Sequence, residues 1–210
     1  IGSLISGLQA SLIDSTIGSR SHITITADEN IANYDSLIGD IEGSSNNLTV
    51  VTPTYTIAGT GVNVSLSESI TFRGFDFTTV NEIYKFDELI SEGNLPTNTD
   101  EVALGVGLKE SLDLSVGDTV TFSSPVYGDT TLNIVGFFDA NVLAINDAWV
   151  ITPLSTIQEI VGDGNVVNSI EMQLVEIFND IETKDEIQST IGTTYTITTW
   201  TEENQELLSG

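Results

Sequence analysis

The side chains of this sequence that could do acid-base or nucleophilic chemistry are its carboxylates and a single histidine, His22. A Ser-His-Asp hydrolase would have to use His22 as its base. This residue stands at the start of a predicted strand, and there is no second histidine to share a metal ion with it. We therefore predict a structural or solvent-facing role for His22.

Neighbouring carboxylates are the other possible source of chemistry, because Ca²⁺ takes several oxygen ligands. No pair has the alternating spacing of an EF-hand loop, and the GDGN segment Gly162–Asn165 lacks the remaining ligands. With 31 acidic residues in the chain, adjacent pairs arise by chance. The pairs are Asp28–Glu29, Asp100–Glu101, Asp139 with Asp147, and Glu202–Glu203. The sequence thus predicts no metal site.

A glycosidase with two catalytic carboxylates is not indicated either, because nothing singles out two of them. Only Trp149 and Trp200 are available to form a sugar platform. The glycine patterns GTGVN (Gly59–Asn63) and GVG (Gly105–Gly107) complete neither a P-loop nor a dinucleotide fingerprint. We interpret them as turns, and we expect no catalytic residue, no nucleotide site and no cofactor.

The charge balance excludes several classes of partner. The chain has a formal charge of −26, with five basic residues against 31 acidic ones. Nucleic-acid binding requires a basic surface, and anionic headgroups would be repelled. Because there is no cysteine, disulfides, thiolate chemistry and cysteine-based zinc sites are also excluded. The basic residues are Arg20, Arg73, Lys85, Lys109 and Lys184.

Such a charge would destabilise a folded chain at low ionic strength through self-repulsion. At molar salt the screening length falls to about 3 Å, and most of this repulsion disappears. The 40% apolar content argues against a disordered acidic chain. We therefore predict an acidic, halophilic protein.

Similar patterns of strand, helix and strand occur at both ends of the chain. Together they predict an α+β protein whose ends build a split ferredoxin-like (βαβ…βαβ) sheet, with the middle inserted between its halves. The predicted elements are strand His22–Ala27, helix Ile31–Ile41 and strand Leu48–Ala58, and later strand Ser169–Val175, helix Asn179–Ile191 and strand Tyr195–Trp200.

The middle of the chain is mostly β by pattern, and breaks in periodicity bound it near Thr78–Asn81 and Gly162–Asn165. We expect one subdomain from residues 20–80 and 164–210, and an inserted one from residues 81–163. An extended segment Val62–Phe77 precedes the insert and carries Phe72, Phe75 and Phe77, which we assign to the core. The predicted elements of the insert are strand Val102–Val106, a helical turn at Gly107–Leu112, hairpin strands Thr119–Ser123 and Thr131–Phe138, strand Ala148–Ile151, and helix Pro153–Val161 with Thr152 as its start signal.

Residues Ile1–Ser19 have apolar side chains at helical spacing, and Asp14 is their first charge. This pattern predicts a helix, residues 1–19, which is either the outward end of a longer helix, continuing from a missing membrane helix, or a surface amphipathic helix of a soluble protein. The segment itself is too short and too rich in Ser and Gly to cross a bilayer. Because it has no basic n-region, the pattern does not predict a signal peptide.

Several phrases of the sequence resemble one known family. ALGVGLKESLDLSVGDTVTFSSP begins at Ala103, and LNIVGFFD follows from Leu132. SHITITADENIANYDSLIGDIE (Ser21–Glu42) and TITTWTEENQELLSG (Thr196–Gly210) flank them. In order and spacing, these phrases resemble the extracytoplasmic (MacB-like periplasmic core) domain of FtsX-like permeases of ABC transporters.

This resemblance implies a porter-like α/β subdomain that carries a mostly β, sabre-type subdomain. It implies an extracellular domain of a membrane permease that pairs with a second permease chain, as a homodimer or heterodimer through the missing membrane helices, and with a separate cytoplasmic ATPase subunit. No residue would be catalytic. The opening helix Leu4–Ile17 and the closing helix Thr201–Leu208 would transmit ATP-driven movement to the outer domain.

One departure from the family concerns the lipoprotein-releasing members, which carry a long loop between the hairpin strands to recruit a carrier protein. Here only about seven residues, Ser124–Thr130, join these strands. The sequence therefore does not favour carrier recruitment of that type.

Two other functions remain open from the sequence. The chain could be a freestanding cell-surface binding or adhesion module with a similar layout, or a hydrolase with unrecognised carboxylates. Apolar runs of about 20 residues on both sides of the domain would favour the permease. Hydrophilic flanks would favour the surface module, and an activity lost on substituting one carboxylate would favour the enzyme.

Overall fold

The computed structural model describes residues 17–205, and they divide into two compact units. Within this range the first unit contains residues 17–53, 78–84 and 168–205, and the second contains residues 54–77 and 85–167. Both are built on β-strands with helices packed against them, so the chain is a mixed α+β protein. The division assigns residues 54–77 to the second unit, whereas the boundaries expected from the sequence place them with the chain ends.

In the first unit the strand order is β10-β1-β9-β2. The edge strand β10 runs antiparallel to β1, in a register from Ile23 opposite Thr199 to Thr26 opposite Thr196. The long strand β2 enters the second unit after Pro53. The elements are β1 (Ile23–Ile31), α1 (Tyr34–Ser44), β2 (Leu48–Asn63), α2 (Phe77–Tyr84), β9 (Val167–Leu174), a 3-10 helix (Ile177–Asn179), α7 (Asp180–Ile191), β10 (Thr196–Thr199) and α8 (Trp200–Glu203).

The two longest helices of this unit, α1 and α7, pack against each other. On α1 the buried side chains are Tyr34, Leu37 and Ile41, at spacings of three and four residues. These positions recur on one face of a helix, so α1 buries an apolar stripe and leaves its acidic face in solvent.

The predicted end of the first strand was wrong. Strand β1 continues past Ala27 to Ile31, because Ile31 is buried and belongs to the sheet. Asn33 then adopts a left-handed backbone with φ 52°, which Asn tolerates better than most residues. For this reason helix α1 begins at Tyr34 and not at Ile31.

Two predicted helices reach beyond the described residues. Of the opening helix, residues 1–19, only the last three positions are described, and Ile17 there is helical and buried. The closing helix, expected over Thr201–Leu208, begins one residue earlier as α8. Its predicted part after Gln205 lies outside the described range.

In the second unit the strand order is β2-β3-β8-β5-β7-β4, and β6 pairs with both β2 and β7. Strands β2 and β3 form a long antiparallel hairpin from Thr54 opposite Phe75 to Asn63 opposite Leu66. The elements are β3 (Leu66–Phe75), α3 (Phe86–Leu89), β4 (Ile90–Gly93), β5 (Glu101–Gly105), α4 (Val106–Ser111), β6 (Thr119–Ser124), β7 (Gly128–Phe138), α5 (Leu143–Asn146), β8 (Trp149–Pro153) and α6 (Leu154–Val161).

The prediction of a turn at Gly59–Asn63 was wrong, because this segment lies in β2 and pairs with both β3 and β6. Glycine is needed there for close packing. A Cβ on Gly59 would lie 2.7 Å from Cζ of Phe122 and 2.8 Å from the carbonyl oxygen of Ser123. The turn itself falls at Val64, whose φ is 55°.

Close packing also explains the other glycine pattern. Gly105 ends β5 and caps α4, and a Cβ on it would lie 2.7 Å from Cα of Asn146. Gly107 lies in α4, where a Cβ would meet the Asp147 carboxylate. The prediction of a turn at Gly105–Gly107 was therefore wrong, because Gly105 ends a strand and Gly107 lies in a helix.

The connection between the hairpin strands is shorter than predicted. The β6–β7 ladder extends to Ser124 opposite Gly128, so that residues 125–127 alone join the strands. The residues predicted as loop, Ser124 and Gly128–Thr130, are in the ladder because each pairs across the hairpin.

The predicted start of the helix after β8 was also wrong. Pro153 is paired with Phe75 and ends β8, so helix α6 begins at Leu154. Thr152 does not cap this helix. It is buried, and its hydroxyl donates to the Glu101 carbonyl at 2.8 Å and bonds Thr156 Oγ1 at 2.8 Å.

Aromatic residues fill the core of the second unit. Phe86 lies 5.4 Å from both Phe75 and Phe138, measured between ring centroids. Arg73 is buried, and its guanidinium lies 4.5 Å from the Trp149 ring. Of the three phenylalanines assigned to the core, Phe72 and Phe75 are fully buried, whereas Phe77 is half-buried and begins α2. Among residues 17–205 no helix has the length and hydropathy needed to span a membrane.

Candidate functional site at the chain-end junction

The two ends of the described chain meet on the first unit. Ile17, just after the undescribed N-terminal residues, packs against Trp200, which begins the last helix, and both are buried. Ile177 packs against this pair from the 3-10 helix. Apolar contact therefore joins the segment entering the unit to the segment leaving it.

Hydrogen bonds reinforce this contact from the central strand β9. Gln173 donates its side-chain amide to the carbonyl oxygens of Gly18, at 3.0 Å, and Arg20, at 2.8 Å. The Trp200 indole N–H donates to the Ile177 carbonyl at 2.6 Å, and its backbone N–H donates to the His22 carbonyl at 2.8 Å. We call the set Ile17, His22, Gln173, Asp180 and Trp200 the chain-end junction.

Asp180 connects the start of α7 to the final helix. Its carboxylate is almost fully buried and accepts hydrogen bonds from the backbone N–H and the hydroxyl of Thr201. A buried carboxylate that lost these donors would bear a large desolvation penalty. The bonds therefore hold Thr201, and with it the exit of the chain, against α7.

Helix α8 is fixed by a capping box and an ion pair. The Thr199 hydroxyl accepts from the Glu202 N–H, and the Glu202 carboxylate accepts from the Thr199 N–H at 3.1 Å. Lys184 of α7 lies 3.0 Å from the same carboxylate. Partial burial opposes ionisation of Glu202, but the Lys184 ammonium and the Thr199 donors hold its pKa below the ordinary value.

His22 lies within this junction as a buried side chain. Its Nδ1 accepts a hydrogen bond from the Leu174 N–H at 2.9 Å, which requires the neutral imidazole with its proton on Nε2. Burial lowers the pKa of His22 by more than the Ile17 carbonyl and the Asp180 carboxylate raise it. The predicted structural role agrees with this geometry, and the solvent-facing alternative was wrong because the residue is 4% exposed.

Two further carboxyl side chains, those of Glu171 and Glu203, lie beside the junction. The Tyr84 hydroxyl donates to Glu171, which is buried in β9. Burial raises the pKa of Glu203, and the charges of Glu171 and Glu202 raise it further. The acidic pair Glu202–Glu203 therefore consists of one carboxyl group with a lowered pKa and one with a raised pKa.

The other predicted acidic pairs serve local structure. Glu101 accepts the backbone N–H groups of Asn98, at 2.9 Å, and Thr97, at 3.0 Å, and these bonds lower its pKa. Asp139 accepts from the Asn141 N–H and from the Asn146 side-chain amide, which lower its pKa likewise. Within residues 17–205, no three His, Asp or Glu side chains come together as metal ligands would.

Asp28 and Glu29 line a shallow cavity of about 360 Å³ on the first unit. Its lining comes from the end of β1 and from Thr194 and Tyr195 in the loop before β10. Both acidic side chains are exposed to solvent.

Sequence reasoning missed most of the chain-end junction. Trp200 was weighed only as a sugar platform, and Gln173 and Asp180 were not singled out. The pattern Thr199-Trp-Thr-Glu202 is a capping-box signature and could have marked the start of α8. The partners of Gln173 and Asp180 lie 21 or more positions away in the chain, so no local pattern signals them.

The chain matches one protein family by sequence and several solved structures by fold. The sequence model of the MacB-like periplasmic core domain family matches residues 1–191. The fold is similar to the periplasmic region of MacB from Actinobacillus actinomycetemcomitans, with a TM-score of 0.61, 16% identity, and coverage of 96% of this chain and 98% of that one. No curated protein sequence matches this chain significantly.

Two further solved structures share the fold. The extracellular domain of the noncanonic ABC-type transporter YknZ from Gram-positive bacteria has a TM-score of 0.60 and 14% identity, covering 84% of this chain and 98% of that one. A domain of a putative permease protein from Porphyromonas gingivalis has a TM-score of 0.52 and 13% identity, covering 86% and 91%.

Proposed function

Because the chain belongs to the MacB-like periplasmic core domain family, we propose that it is the extracellular domain of an FtsX/MacB-like ABC transporter permease. In this role it couples ATP hydrolysis in the cytoplasm to the movement or handling of a substrate outside the membrane. The domain transmits force and performs no bond chemistry.

The observation that carries this proposal is the chain-end junction. The entering and leaving segments are joined to each other by Ile17 and Trp200 and to the central strand by Gln173. A displacement of membrane helices attached to these two segments would act on one place in the first unit. Since folded cores deform little, such a displacement would move the unit as a body.

The strand order of the first unit supports a split ferredoxin-like, porter-type subdomain. With α1 between β1 and β2 and α7 between β9 and β10, the order β10-β1-β9-β2 places the first strand of each half at the centre of the sheet. The second unit corresponds to the mostly β, sabre-type subdomain. The subdomains expected from the sequence are residues 20–80 with 164–210, and residues 81–163. We change this division in one respect: because of its contacts, the β2–β3 hairpin is assigned to the sabre-type subdomain.

The partners in this proposal are a second permease chain and a separate cytoplasmic ATPase subunit. The parent chain is embedded in the cell membrane, with this domain on the extracellular side. Recruitment of a carrier protein by a projecting hairpin loop is disfavoured, because residues 125–127 alone join β6 and β7.

The test uses the parent permease assembled with its ATPase. We expect hydrogen exchange of the backbone amides in β1, α7 and α8 to differ between the ATP-bound and nucleotide-free states. Trp200→Ala should abolish this difference while ATP hydrolysis continues, because it removes the contact between the entering and leaving segments. Leu143→Ala, a change at an exposed site on α5, is the matched control and should leave the difference intact.

Identical exchange in the two nucleotide states of the unaltered permease would contradict the proposal. So would a parent gene that encodes no apolar run of about 20 residues on either side of the domain. That second outcome would favour the freestanding surface module.

A further inference from the structure

Two segments of the chain fit the acceptor motif for N-linked glycans, which is Asn-X-Ser/Thr with X other than Pro. They are Asn47–Thr49 and Asn63–Ser65. Serine and threonine are frequent in this sequence, so the motif alone does not distinguish a used acceptor from a chance match. The structure separates the two segments, because their asparagine side chains have different surroundings.

The side-chain amide of Asn47 is fully used by the fold of the first unit. Its Nδ2 donates to Thr183 Oγ1 at 2.9 Å and to the Glu176 carbonyl at 3.0 Å, and its Oδ1 accepts the Glu176 N–H at 2.7 Å. An amide nitrogen has two hydrogens, so a sugar on Nδ2 would remove one of these donors. The sugar would also have to lie against Thr183, which is 1% exposed.

Asn63 lies at the tip of the β2–β3 hairpin in the second unit. Strand β6 pairs with β2 up to Val62, and the hairpin closes beyond that point with Asn63 opposite Leu66. Val64 is 94% exposed, and Ser65 is exposed too. The middle and last residues of this motif therefore face solvent at a protruding turn, as an acceptor requires.

The hydrogen bonds of Asn63 also leave room for a substituent. Its Nδ2 makes one short hydrogen bond, to the Leu112 carbonyl at 2.7 Å, and one long contact, to the Asp113 carbonyl at 3.4 Å. One hydrogen is sufficient for the short bond. A sugar that replaces the other hydrogen would therefore cost the weak contact alone.

Backbone strain makes the turn after Asn63 easier to open. Val64 has a left-handed backbone with φ 55°, which is unfavourable for a β-branched residue. This strain is released when the turn opens, so opening costs less than it would at an unstrained turn. A transferase that must draw the asparagine side chain into its own site would thus find less resistance here.

We propose that Asn63 is an N-glycosylation site and that Asn47 is not. The inference rests on the proposed function, which places this domain outside the membrane. In the transfer step, Nδ2 of Asn63 forms a bond to C1 of a sugar, and the bond from that C1 to a phosphate oxygen of a polyprenyl phosphate- or diphosphate-linked glycan breaks. The phosphate keeps the electron pair, and Nδ2 loses one proton to a base of the transferase. Nothing is oxidised or reduced.

The test is mass spectrometry of the parent permease, purified from the membranes of its own cells. Chymotrypsin is the suitable protease, because cleavage after Tyr55 separates the two motifs, whereas no Lys or Arg lies between Arg20 and Arg73. We expect the peptide that contains Asn63 to carry the added mass of a glycan. The peptide that contains Asn47 should have the mass of its sequence.

Matched substitutions at exposed positions separate the motif from the fold. Ser65→Ala should abolish the added mass and Ser65→Thr should keep it, because the motif needs a hydroxyl at its third position. Both variants retain Asn63 and its bond to Leu112. Thr49→Ala removes the other motif, also at an exposed position, and should change nothing.

An unmodified Asn63, a glycan on Asn47, or a glycan on Asn63 that persists in Ser65→Ala would each overturn the inference. The location of the domain is measured separately, by labelling Leu143→Cys in intact cells with a membrane-impermeant thiol reagent. Leu143 is 75% exposed, and the chain has no cysteine of its own. Labelling with an unmodified Asn63 would refute the glycan alone, whereas no labelling and an unmodified Asn63 would contradict the proposed function as well.

Discussion

Trp200 touches the segments at both ends of the described chain. Its ring packs against Ile17, its indole N–H bonds the Ile177 carbonyl, and its backbone N–H bonds the His22 carbonyl. Trp200 thus combines full burial with contacts to the entering segment and to the 3-10 helix. At the scale of residues, we propose that Trp200 couples the entering segment to the leaving segment.

Trp200→Ala should lower the free energy of unfolding of the 210-residue chain by about 3–5 kcal/mol, since it leaves a large cavity. Trp200→Phe keeps most of the ring but loses the indole hydrogen bond, and should cost about 1–2 kcal/mol. Urea unfolding at constant molar KCl measures both. A loss below about 1 kcal/mol for Trp200→Ala would show that the side chain is not central to the junction.

His22 should make the stability of the chain depend on pH. Because its pKa is lowered in the folded state, the unfolded chain binds the proton more readily. The full stability is therefore present above the ordinary histidine pKa of about 6.5 and is lost as the pH falls below it. Protonation would also turn Nδ1 into a donor facing the Leu174 N–H.

We expect His22→Gln to remove this part of the pH dependence. The measurement is the free energy of unfolding of the unaltered chain and of His22→Gln, from pH 8 to pH 5. Both chains have the same carboxylates, so the difference between them gives the contribution of His22 alone. A flat difference over that range would refute the assignment of a lowered pKa.

At the scale of elements, the sequence predicted the order of strands and helices in both halves of the first unit. Apolar patterning was sufficient for this, because α1 buries a regular apolar stripe and the central strand β9 is buried over most of its length. One of the errors concerns glycine. Gly59–Asn63 looks like a turn, but a turn and a tightly packed strand both call for a residue without a side chain.

The chain-end junction was largely beyond prediction for a different reason. The contacts of Gln173 with Gly18 and Arg20 join residues more than 150 positions apart. They depend on the placement of β9 beside β1, which is a property of the whole sheet. The motif at Thr199–Glu202 was local and could have been recognised.

A matched pair of glycine substitutions tests the account of β2. Gly59→Ala should destabilise the chain by about 1–3 kcal/mol, because its methyl group would overlap Phe122 and Ser123. Gly39→Ala, on α1 with open space around it, should stabilise by about 0.5–1 kcal/mol, as expected in a helix interior. Thermal unfolding of the two variants at one salt concentration gives the comparison. If Gly59→Ala were neutral, the close approach of β6 to β2 would be disproved.

At the scale of the whole molecule, the dominant feature is the formal charge of −26. Two ion pairs found in the described part of the chain, Lys109 with Glu92 and Lys184 with Glu202, offset little of it. The remaining carboxylates repel one another, and dissolved salt shortens the distance over which this repulsion acts. We therefore maintain the prediction of a halophilic protein.

Removal of salt should loosen the fold. We expect the midpoint of thermal unfolding, followed by circular dichroism, to rise steeply between millimolar and molar KCl. Sucrose at matched osmolality serves as the control, because it favours compact states without screening charge. An unchanged spectrum and midpoint between the two salt concentrations would refute the prediction.

The central claim is that this domain moves in response to ATP used on the other side of the membrane. Spin labels on Ser19→Cys, an exposed position beside Ile17, would report the distance between the two copies in the parent permease assembled with its ATPase. We predict a distance distribution that shifts between the nucleotide-free and ATP-bound states, and a loss of that shift in Trp200→Ala. The same distribution in both states of the unaltered permease would contradict the account.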